Sequence, residues 1–190
     1  NKNLYKNILS KDYKYYMKIL AVQSKMGIGD TVIFLPFIKA LSKKFNSPIS
    51  ILVKENSKAN QYLHQTKYID KILILERDNK TNNRHGGFFG IFKLANDLKK
   101  YKFDKIFIFN SSLRFNLVAK ISGIPKIYQY ALFTKNKQHI IETPKKFLKK
   151  NLHLDINEDP EVQIDNDLIS KAAQKFQIDK NTTNILLGIG

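Results

Sequence analysis

The sequence predicts an α/β fold built on a doubly wound parallel sheet. Short apolar segments typical of strands alternate with segments of helical periodicity along most of the chain. The first apolar run, Ile19–Val22, lacks the polar alternation of a half-exposed strand, which favours a central parallel strand covered on both faces. Ligands of such sheets bind beyond the carboxyl ends of the strands, so we expect function to lie in the turns there.

The same patterns predict the individual elements. Strands are expected at Ile19–Val22, Ile49–Val53, Ile69–Leu75, Phe103–Phe109 and Lys126–Tyr130. Helices are expected from Asp30 to about Phe45, at Lys58–Gln65, Ile91–Lys100 and Phe115–Ser122, over residues 137–152, and at Asp167–Phe176. Residues 76–90 are charged and then glycine-rich, and we expect a mobile loop there, whereas residues 155–164 should be extended.

Three segments describe the predicted domain organisation. Residues 1–16 form an N-terminal extension to which we assign no chemistry, and residues 17–183 form the α/β domain. Residues 184–190 have the apolar pattern of a strand that reaches a glycine turn. We expect them to be the first strand of a second α/β domain that the chain does not contain.

Composition limits the kinds of partner and chemistry. The chain has 190 residues and a net charge of +17, from 33 Lys and Arg against 16 Asp and Glu. Such a balance favours polyanions, although abundant lysine can also reflect genomic base composition alone. Cysteine is absent, which excludes disulfides and thiolate chemistry. The four histidines lack the spacing of metal ligands, so no metal site is expected.

The turn after the first strand, Met26-Gly-Ile-Gly-Asp30, is the first candidate site. Gly27 and Gly29 match the first half of the dinucleotide motif G-x-G-x-x-G, and Glu55 ends the second strand where a ribose-binding acid would lie. Val32 occupies the third glycine position, and Asp30 would repel a pyrophosphate, so dinucleotide binding is disfavoured. Asp30 itself has two interpretations, a helix cap or a general base, and the spacing leaves both open.

The turn after the fourth strand, Asn110-Ser-Ser-Leu-Arg114, is the second candidate site. Ser111, Ser112 and Arg114 at the amino end of a helix could bind a carboxylate or a phosphate. A capped helix with a solvated arginine explains the same residues equally well. The sequence has no P-loop, no G-x-S-x-G elbow and no nucleic-acid-binding signature, so we expect no nucleic-acid partner.

Several of these segments, in this order, carry a resemblance to a known family. Residues 17–41, with Gly29-Asp-Thr-Val-Ile-Phe-Leu-Pro, look like the amino terminus of the ADP-heptose:lipopolysaccharide heptosyltransferases, glycosyltransferase family nine. Residues 68–73, 103–114 and 121–125 are similar to that family's third strand, its fourth strand with the acceptor-side turn, and the end of the following helix. The first turn, Ser24 to Asp30, is slightly longer than the family's usual pattern.

The resemblance implies the amino-terminal, Rossmann-like domain of a GT-B glycosyltransferase of lipopolysaccharide biosynthesis. Such an enzyme moves a sugar, here heptose, from ADP-heptose to a lipopolysaccharide-core glycolipid with inversion. It uses a nucleotide-sugar as substrate and needs no cofactor and no metal. Carried over, the resemblance makes Asp30 the catalytic base, places Gly27 and Gly29 near the donor phosphates, and assigns the acceptor to five residues: Ser24, Lys25, Ser111, Ser112 and Arg114.

The same resemblance implies a cytoplasmic protein at the inner face of the inner membrane. A lysine-rich domain would dock peripherally on an anionic membrane surface that contains a phosphorylated glycolipid acceptor. A chain that holds only the acceptor side would be inactive alone. The alternative is a non-enzymatic α/β domain that binds a nucleotide or an anion at the same edge of the sheet.

Overall fold

The computed structural model describes residues 16–25, 27–77, 83–132, 140–179 and 181–183. The strands are β1 (Ile19–Val22), β2 (Ile49–Lys54), β3 (Ile69–Leu75), β4 (Lys105–Ile108) and β5 (Lys126–Gln129). The helices are α1 (Ile28–Phe45), α2 (Ala59–Tyr62), α3 (Phe89–Lys99), α4 (Leu113–Ile121), α5 (Glu142–Leu152) and α6 (Asn166–Lys175). A 3-10 turn, Glu55–Ser57, precedes α2.

The strands form one parallel sheet in the order β3-β2-β1-β4-β5. The first strand is central, with Val22 paired to Leu52 on β2 and to Ile108 on β4. Strand order reverses on the two sides of β1, which is the topology of a doubly wound sheet. The predicted parallel α/β fold is therefore confirmed, and the turns that follow β1 and β4 must lie next to each other.

Alternate side chains of the central strand enter two separate cores. Ile19 and Ala21 pack on one face of the sheet with buried residues of α1 and α5. Leu20 and Val22 pack on the other face with buried residues of α3 and α4. All four side chains are almost fully buried, because each face of β1 is covered by helices.

Several predicted boundaries differ from the observed ones. The predicted helix over residues 58–65 is only the single turn α2, which ends at Tyr62. It begins after Lys58, whose left-handed conformation (φ 51°) separates it from the preceding 3-10 turn. Helix α3 begins at Phe89 and α4 at Leu113, each two residues earlier than predicted. Residues 155–164 have no regular structure, as expected.

Some predictions fall on residues that the structure does not describe. The proposed strand over residues 184–190 lies wholly outside the described residues, and so does the extension except for Tyr16. Of the predicted helix over 137–152, residues 142–152 are observed as α5, and residues 137–139 are outside the described part. Within the described residues, no helix combines the length and apolarity needed to cross a membrane.

Candidate active site at the carboxyl edge of the sheet

Two turns, one after β1 and one after β4, are joined at the carboxyl edge of the sheet. The Phe109 amide donates to the Val22 carbonyl (3.1 Å), which continues the strand pairing past the end of β4. Beyond it, Asn110 Nδ2 donates to Ser24 Oγ at 2.7 Å. The two segments that the sequence singled out therefore form one continuous surface.

The buried side chain of Gln23 holds the first turn in place. Gln23 directly follows β1 and is almost fully buried. Its Nε2 donates to the Asp30 carbonyl (3.2 Å), while its Oε1 accepts from the backbone amide of Lys25. A buried polar side chain needs such partners, and here they connect the turn to the first turn of α1. Sequence reasoning missed Gln23, although a glutamine next to a fully apolar strand was a usable signal.

Asp30 lies within the first turn of α1 and not at the start of the helix, where it was predicted. Helix α1 begins at Ile28 with Gly27 as its N-cap, so Asp30 is the third helical residue and not the residue at the helix start. Its Oδ2 accepts the backbone N–H of Gly27 at 3.1 Å, which is the carboxylate half of a capping box. Its Oδ1 accepts no hydrogen bond from the described residues. The half-buried carboxylate caps the helix with one oxygen and keeps the other available for a ligand.

The glycines of this turn leave the amino end of α1 bare. A Cβ added at Gly29 would meet nothing within 4 Å. At Gly27 the backbone is extended (φ −87°), and the nearest atom to an added Cβ, Asp30 Oδ2, would be 3.4 Å away. Neither position needs glycine for the fold. Because glycine has no side chain, Gly27 and Gly29 leave the amino end of α1 accessible. The partial positive charge of that helix end suits an anion.

The second turn is held by Gln129 of β5, the outermost strand on this side of the described sheet. Its Nε2 donates to the carbonyls of Asn110 (3.0 Å) and Ser112 (2.9 Å), and its Oε1 accepts from Asn116 Nδ2 (3.0 Å). The Ser112 amide donates to Asn110 Oδ1 at 2.6 Å. Every polar atom of the Gln129 side chain is thus committed to shaping this turn, a role that the sequence did not reveal.

The predicted acceptor residues occupy different positions around this edge. Ser112 is the N-cap of α4, with its Oγ accepting from the Arg114 amide (3.4 Å), so its hydroxyl has a capping role. Ser24 contacts Asn110, as described above, and Ser111 is half-buried in the second turn. Lys25 is exposed. An acceptor role for these residues stays a prediction.

The Arg114 guanidinium points to the loop between β3 and α3. Its Nη1 donates to the Gly87 carbonyl at 2.7 Å, and its Nη2 donates to the His85 carbonyl. Gly90 makes this approach possible, since a Cβ there would overlap the His85 carbonyl group and lie 2.9 Å from Arg114 Nη2. The family resemblance assigned Arg114 to the acceptor. In the structure its guanidinium supports the loop between β3 and α3.

His85 anchors the same loop from inside. Its ring is almost fully buried, and its Nδ1 accepts the backbone N–H of Glu76 at 3.1 Å. The other ring nitrogen, Nε2, therefore carries the hydrogen and donates to Asp97 Oδ2 at 3.0 Å. Asp97 also accepts from Arg84 Nη2 at 2.7 Å. Of the loop predicted to be mobile, residues 83–90 are tied to β3, α3 and α4, and residues 78–82 are outside the described part.

Tyr130 completes the edge beyond β5. Its ring packs against Phe109 and Phe147, with centroid distances of 5.9 and 5.0 Å. Burial raises the pKa of its hydroxyl above the ordinary value, because an apolar surrounding disfavours the phenolate. Its hydroxyl oxygen is buried and has no hydrogen-bond partner among the described residues.

Known structures share this architecture. The chain superposes on a family-nine glycosyltransferase from Veillonella parvula with a TM-score of 0.66 and 18% identity, covering 85% of this chain and 49% of that one. It superposes on E. coli ADP-heptose lipopolysaccharide heptosyltransferase II with a TM-score of 0.55 and 15% identity, covering 86% and 52%. For E. coli heptosyltransferase WaaC bound to ADP-2-deoxy-2-fluoro heptose, the TM-score is 0.51 at 13% identity, covering 75% and 50%.

The chain spans about half the length of these three structures, at 49%, 52% and 50%. Neither family profiles nor curated proteins give a match to the sequence. The similarity therefore rests on three-dimensional structure, and at this level of identity it defines the fold. The chain has the α/β, Rossmann-like fold of family-nine glycosyltransferases over about half of their length.

Proposed function

We propose that this chain is the acceptor-side half of an inverting glycosyltransferase, with Asp30 as its general base. The donor is a nucleotide-sugar such as ADP-heptose, and the acceptor is a glycolipid of the lipopolysaccharide core. The observation that carries the proposal is the position of Asp30. Its half-buried carboxylate lies at the carboxyl edge of the sheet, beside the joined turns, with Oδ1 accepting nothing from the described residues.

The proposed chemistry is a single inverting displacement. The acceptor hydroxyl oxygen attacks the anomeric carbon of the donor sugar and forms the new C–O bond. As it does so, its proton passes to the Asp30 carboxylate. The bond between the anomeric carbon and the phosphate oxygen breaks, and the nucleoside diphosphate leaves with the electron pair. Attack opposite the leaving group inverts the anomeric configuration.

The capping interaction prepares Asp30 for this role. The hydrogen bond from the Gly27 amide to Oδ2 holds the carboxylate in one orientation. Gln23 supports the same turn through the Asp30 carbonyl. An oriented carboxylate loses less entropy when the substrate binds, which favours proton transfer to the second oxygen.

The bare amino end of α1 fits the departing diphosphate. Gly27 and Gly29 present backbone without side chains at the positive end of the helix dipole. Before reaction the negative charge of Asp30 opposes a phosphate at that place. Proton transfer from the acceptor neutralises Asp30 as the diphosphate forms, so the same step that activates the nucleophile removes the repulsion.

A second candidate is a binding module that holds a nucleotide or an anion at this edge and performs no transfer. The open amino end of α1 favours it as well. The two candidates differ in what Asp30 does. A carboxylate is unfavourable beside a bound anion but necessary for proton abstraction. Removal of the carboxylate should therefore strengthen anion binding in a binding module and abolish transfer in an enzyme.

The test is Asp30→Asn in the full-length protein. Asparagine keeps an oxygen that can accept from the Gly27 amide, so we expect the free energy of unfolding to change little. The rate of sugar transfer should fall by about 100-fold or more. Activity is measured as sugar transferred from ADP-heptose to the core glycolipid, with nucleotide affinity measured separately. The matched control is Asp167→Asn, which neutralises an aspartate in the first turn of α6, and it should leave transfer unchanged.

The outcomes separate the alternatives. Loss of transfer with retained nucleotide binding supports the base role of Asp30. Normal turnover by Asp30→Asn would remove that role. No transfer by the wild-type protein to any acceptor, together with tighter anion binding by Asp30→Asn, would favour the binding module.

A further inference from the structure

Three phenylalanine rings project from the beginning of α3 and form the aromatic patch, defined as Phe88, Phe89 and Phe92. Their side chains are 69%, 76% and 48% exposed. The Phe88 ring contacts both others edge to face, with centroid distances of 6.0 Å to Phe89 and 5.7 Å to Phe92. Single exposed apolar side chains are common, but a contiguous cluster of large ones marks an interaction surface.

Helix α4 extends the apolar character of this surface. It packs beside α3 and exposes Leu113, Leu117 and Ile121, at 41%, 37% and 44%. The two adjacent helices together expose aliphatic and aromatic side chains at positions where a surface helix ordinarily has polar ones. Phe88 and Phe89 are the most exposed of the large apolar side chains on these two helices.

The patch stands on a rigid base. Gly87, with φ +58°, turns the chain just before Phe88, and its carbonyl accepts from Arg114 Nη1. The buried His85 ring fixes the preceding residues to Glu76 and Asp97. A patch held in this way loses little conformational entropy on docking, which increases the affinity that its apolar area can provide.

A basic side chain lies next to the patch, and others lie further along the same two helices. Lys93 directly follows Phe92 and is exposed, and Arg84 lies just before the patch. Lys99 and Lys120 are exposed near the carboxyl ends of α3 and α4. The acidic side chain on α3, Asp97, is already engaged by Arg84 and His85. The face therefore combines exposed aromatic rings with an excess of positive charge, within a chain of net charge +17.

We propose that the aromatic patch inserts into the headgroup region of an anionic lipid bilayer, with the adjacent Lys93 on the lipid phosphates. Apolar rings beside basic side chains are the combination that binds such interfaces. Rings that are 69% and 76% exposed offer most of their surface to solvent, as insertion requires. The choice of lipid rests in part on the proposed function, whose acceptor is a glycolipid.

This docking would orient the candidate active site. The loop that carries the patch follows the carboxyl end of β3, and the turns that contain Asp30 and Asn110 follow β1 and β4 at the same edge. A bilayer at the patch would therefore lie on the side of the molecule where the acceptor must arrive. The sugar of a membrane-anchored glycolipid could then reach the edge without leaving the membrane.

The first experiment uses the absence of tryptophan from the chain. Phe89→Trp places a single tryptophan in the patch, and Phe176→Trp places one at a ring of similar exposure, 68%, just after α6. Vesicles of phosphatidylcholine with phosphatidylglycerol, free of any glycosyl acceptor, should shift the emission of Phe89→Trp to shorter wavelength. The emission of Phe176→Trp should not change.

The second experiment measures binding directly. In flotation with the same vesicles, the double variant Phe88→Ser/Phe89→Ser should bind at least roughly tenfold more weakly than wild type. Phe176→Ser should bind as wild type does. Both variants replace exposed rings, so equal thermal unfolding temperatures would show that the fold is intact.

Unchanged emission of Phe89→Trp would overturn the proposal, as would equal binding by Phe88→Ser/Phe89→Ser and wild type. Absence of wild-type binding to the anionic vesicles at low salt would also overturn it. Because the vesicles contain no acceptor, these results are independent of transfer. A protein that binds them but transfers no sugar would contradict the proposed function and leave the docking surface in place.

Discussion

Asn110 Nδ2 donates a hydrogen bond to Ser24 Oγ at 2.7 Å and joins two turns that are 86 residues apart in the sequence. Strand pairing between β1 and β4 brings the turns to the same edge, and this side-chain contact then sets their spacing. Asn110 also accepts from the Ser112 amide through Oδ1, so both ends of its amide group are used. The candidate site depends on this side chain as much as on Asp30.

The first prediction concerns this contact. Asn110→Ala should lower the free energy of unfolding by about 1–3 kcal/mol, because it leaves the Ser24 hydroxyl and the Ser112 amide without their partner. Ser24→Ala removes only one of the two hydrogen bonds and should cost less. Urea denaturation of both single variants and the double variant measures the coupling. If the two effects simply add, Ser24 and Asn110 do not interact and the contact has no energetic role.

The second prediction concerns the support of the turn by β5. Gln129→Met keeps the length of the side chain but removes its hydrogen bonds to the Asn110 and Ser112 carbonyls. We expect a loss of about 1–3 kcal/mol in unfolding free energy. Amide exchange should also accelerate at residues 110–113, where the turn loosens. Lys126→Met, an exposed change on the same strand, provides the control and should alter neither measurement.

The third prediction compares two glycine-to-alanine changes at helix starts. Gly90→Ala should destabilise the protein by about 1–3 kcal/mol, since the new Cβ would overlap the His85 carbonyl and force the loop away from α4. Gly29→Ala meets nothing within 4 Å and should stabilise α1 by up to about 1 kcal/mol. Urea denaturation measures both. Equal effects of the two changes would show that the loop is not packed as described.

The fourth prediction concerns alkaline pH. Burial, with smaller contributions from Glu161 and Glu158, raises the pKa of Tyr68 to about 12 from 10.0. The folded state therefore keeps this proton to higher pH than the unfolded state does. The contribution of Tyr68 to the free energy of unfolding is fully present below pH 10 and declines as the pH rises towards 12. The effect is modest, because the side chain is only half-buried.

The measurement for Tyr68 is unfolding free energy between pH 9 and 12. Wild type should lose more stability over this range than Tyr68→Phe, which has no ionisable hydroxyl. Tyr16→Phe, at an exposed tyrosine, should follow wild type. The comparison with variants is necessary because lysines titrate over the same range. A Tyr68→Phe protein with the wild-type slope would contradict the raised pKa.

Local sequence patterns were sufficient to predict the architecture of the fold. The apolar run Ile19–Val22 predicted a central strand, and β1 is indeed covered on both faces because its alternate side chains enter two cores. Helical periodicity located the long helices to within a few residues. Boundaries were less accurate where backbone conformation at one residue decides them, as at Lys58, because periodicity contains no information on a single φ.

The site was predictable only in part. A glycine turn followed by a carboxylate, and a serine-rich turn before a helix, are local features, so the sequence alone identified Asp30 and the Asn110–Arg114 segment. The sequence could not show that Gln129 shapes one turn, that Asn110 reaches Ser24, or that Arg114 supports the loop at Gly87. Each of these contacts joins side chains far apart in the chain. Their distances depend on strand order and helix packing, which only the folded sheet determines.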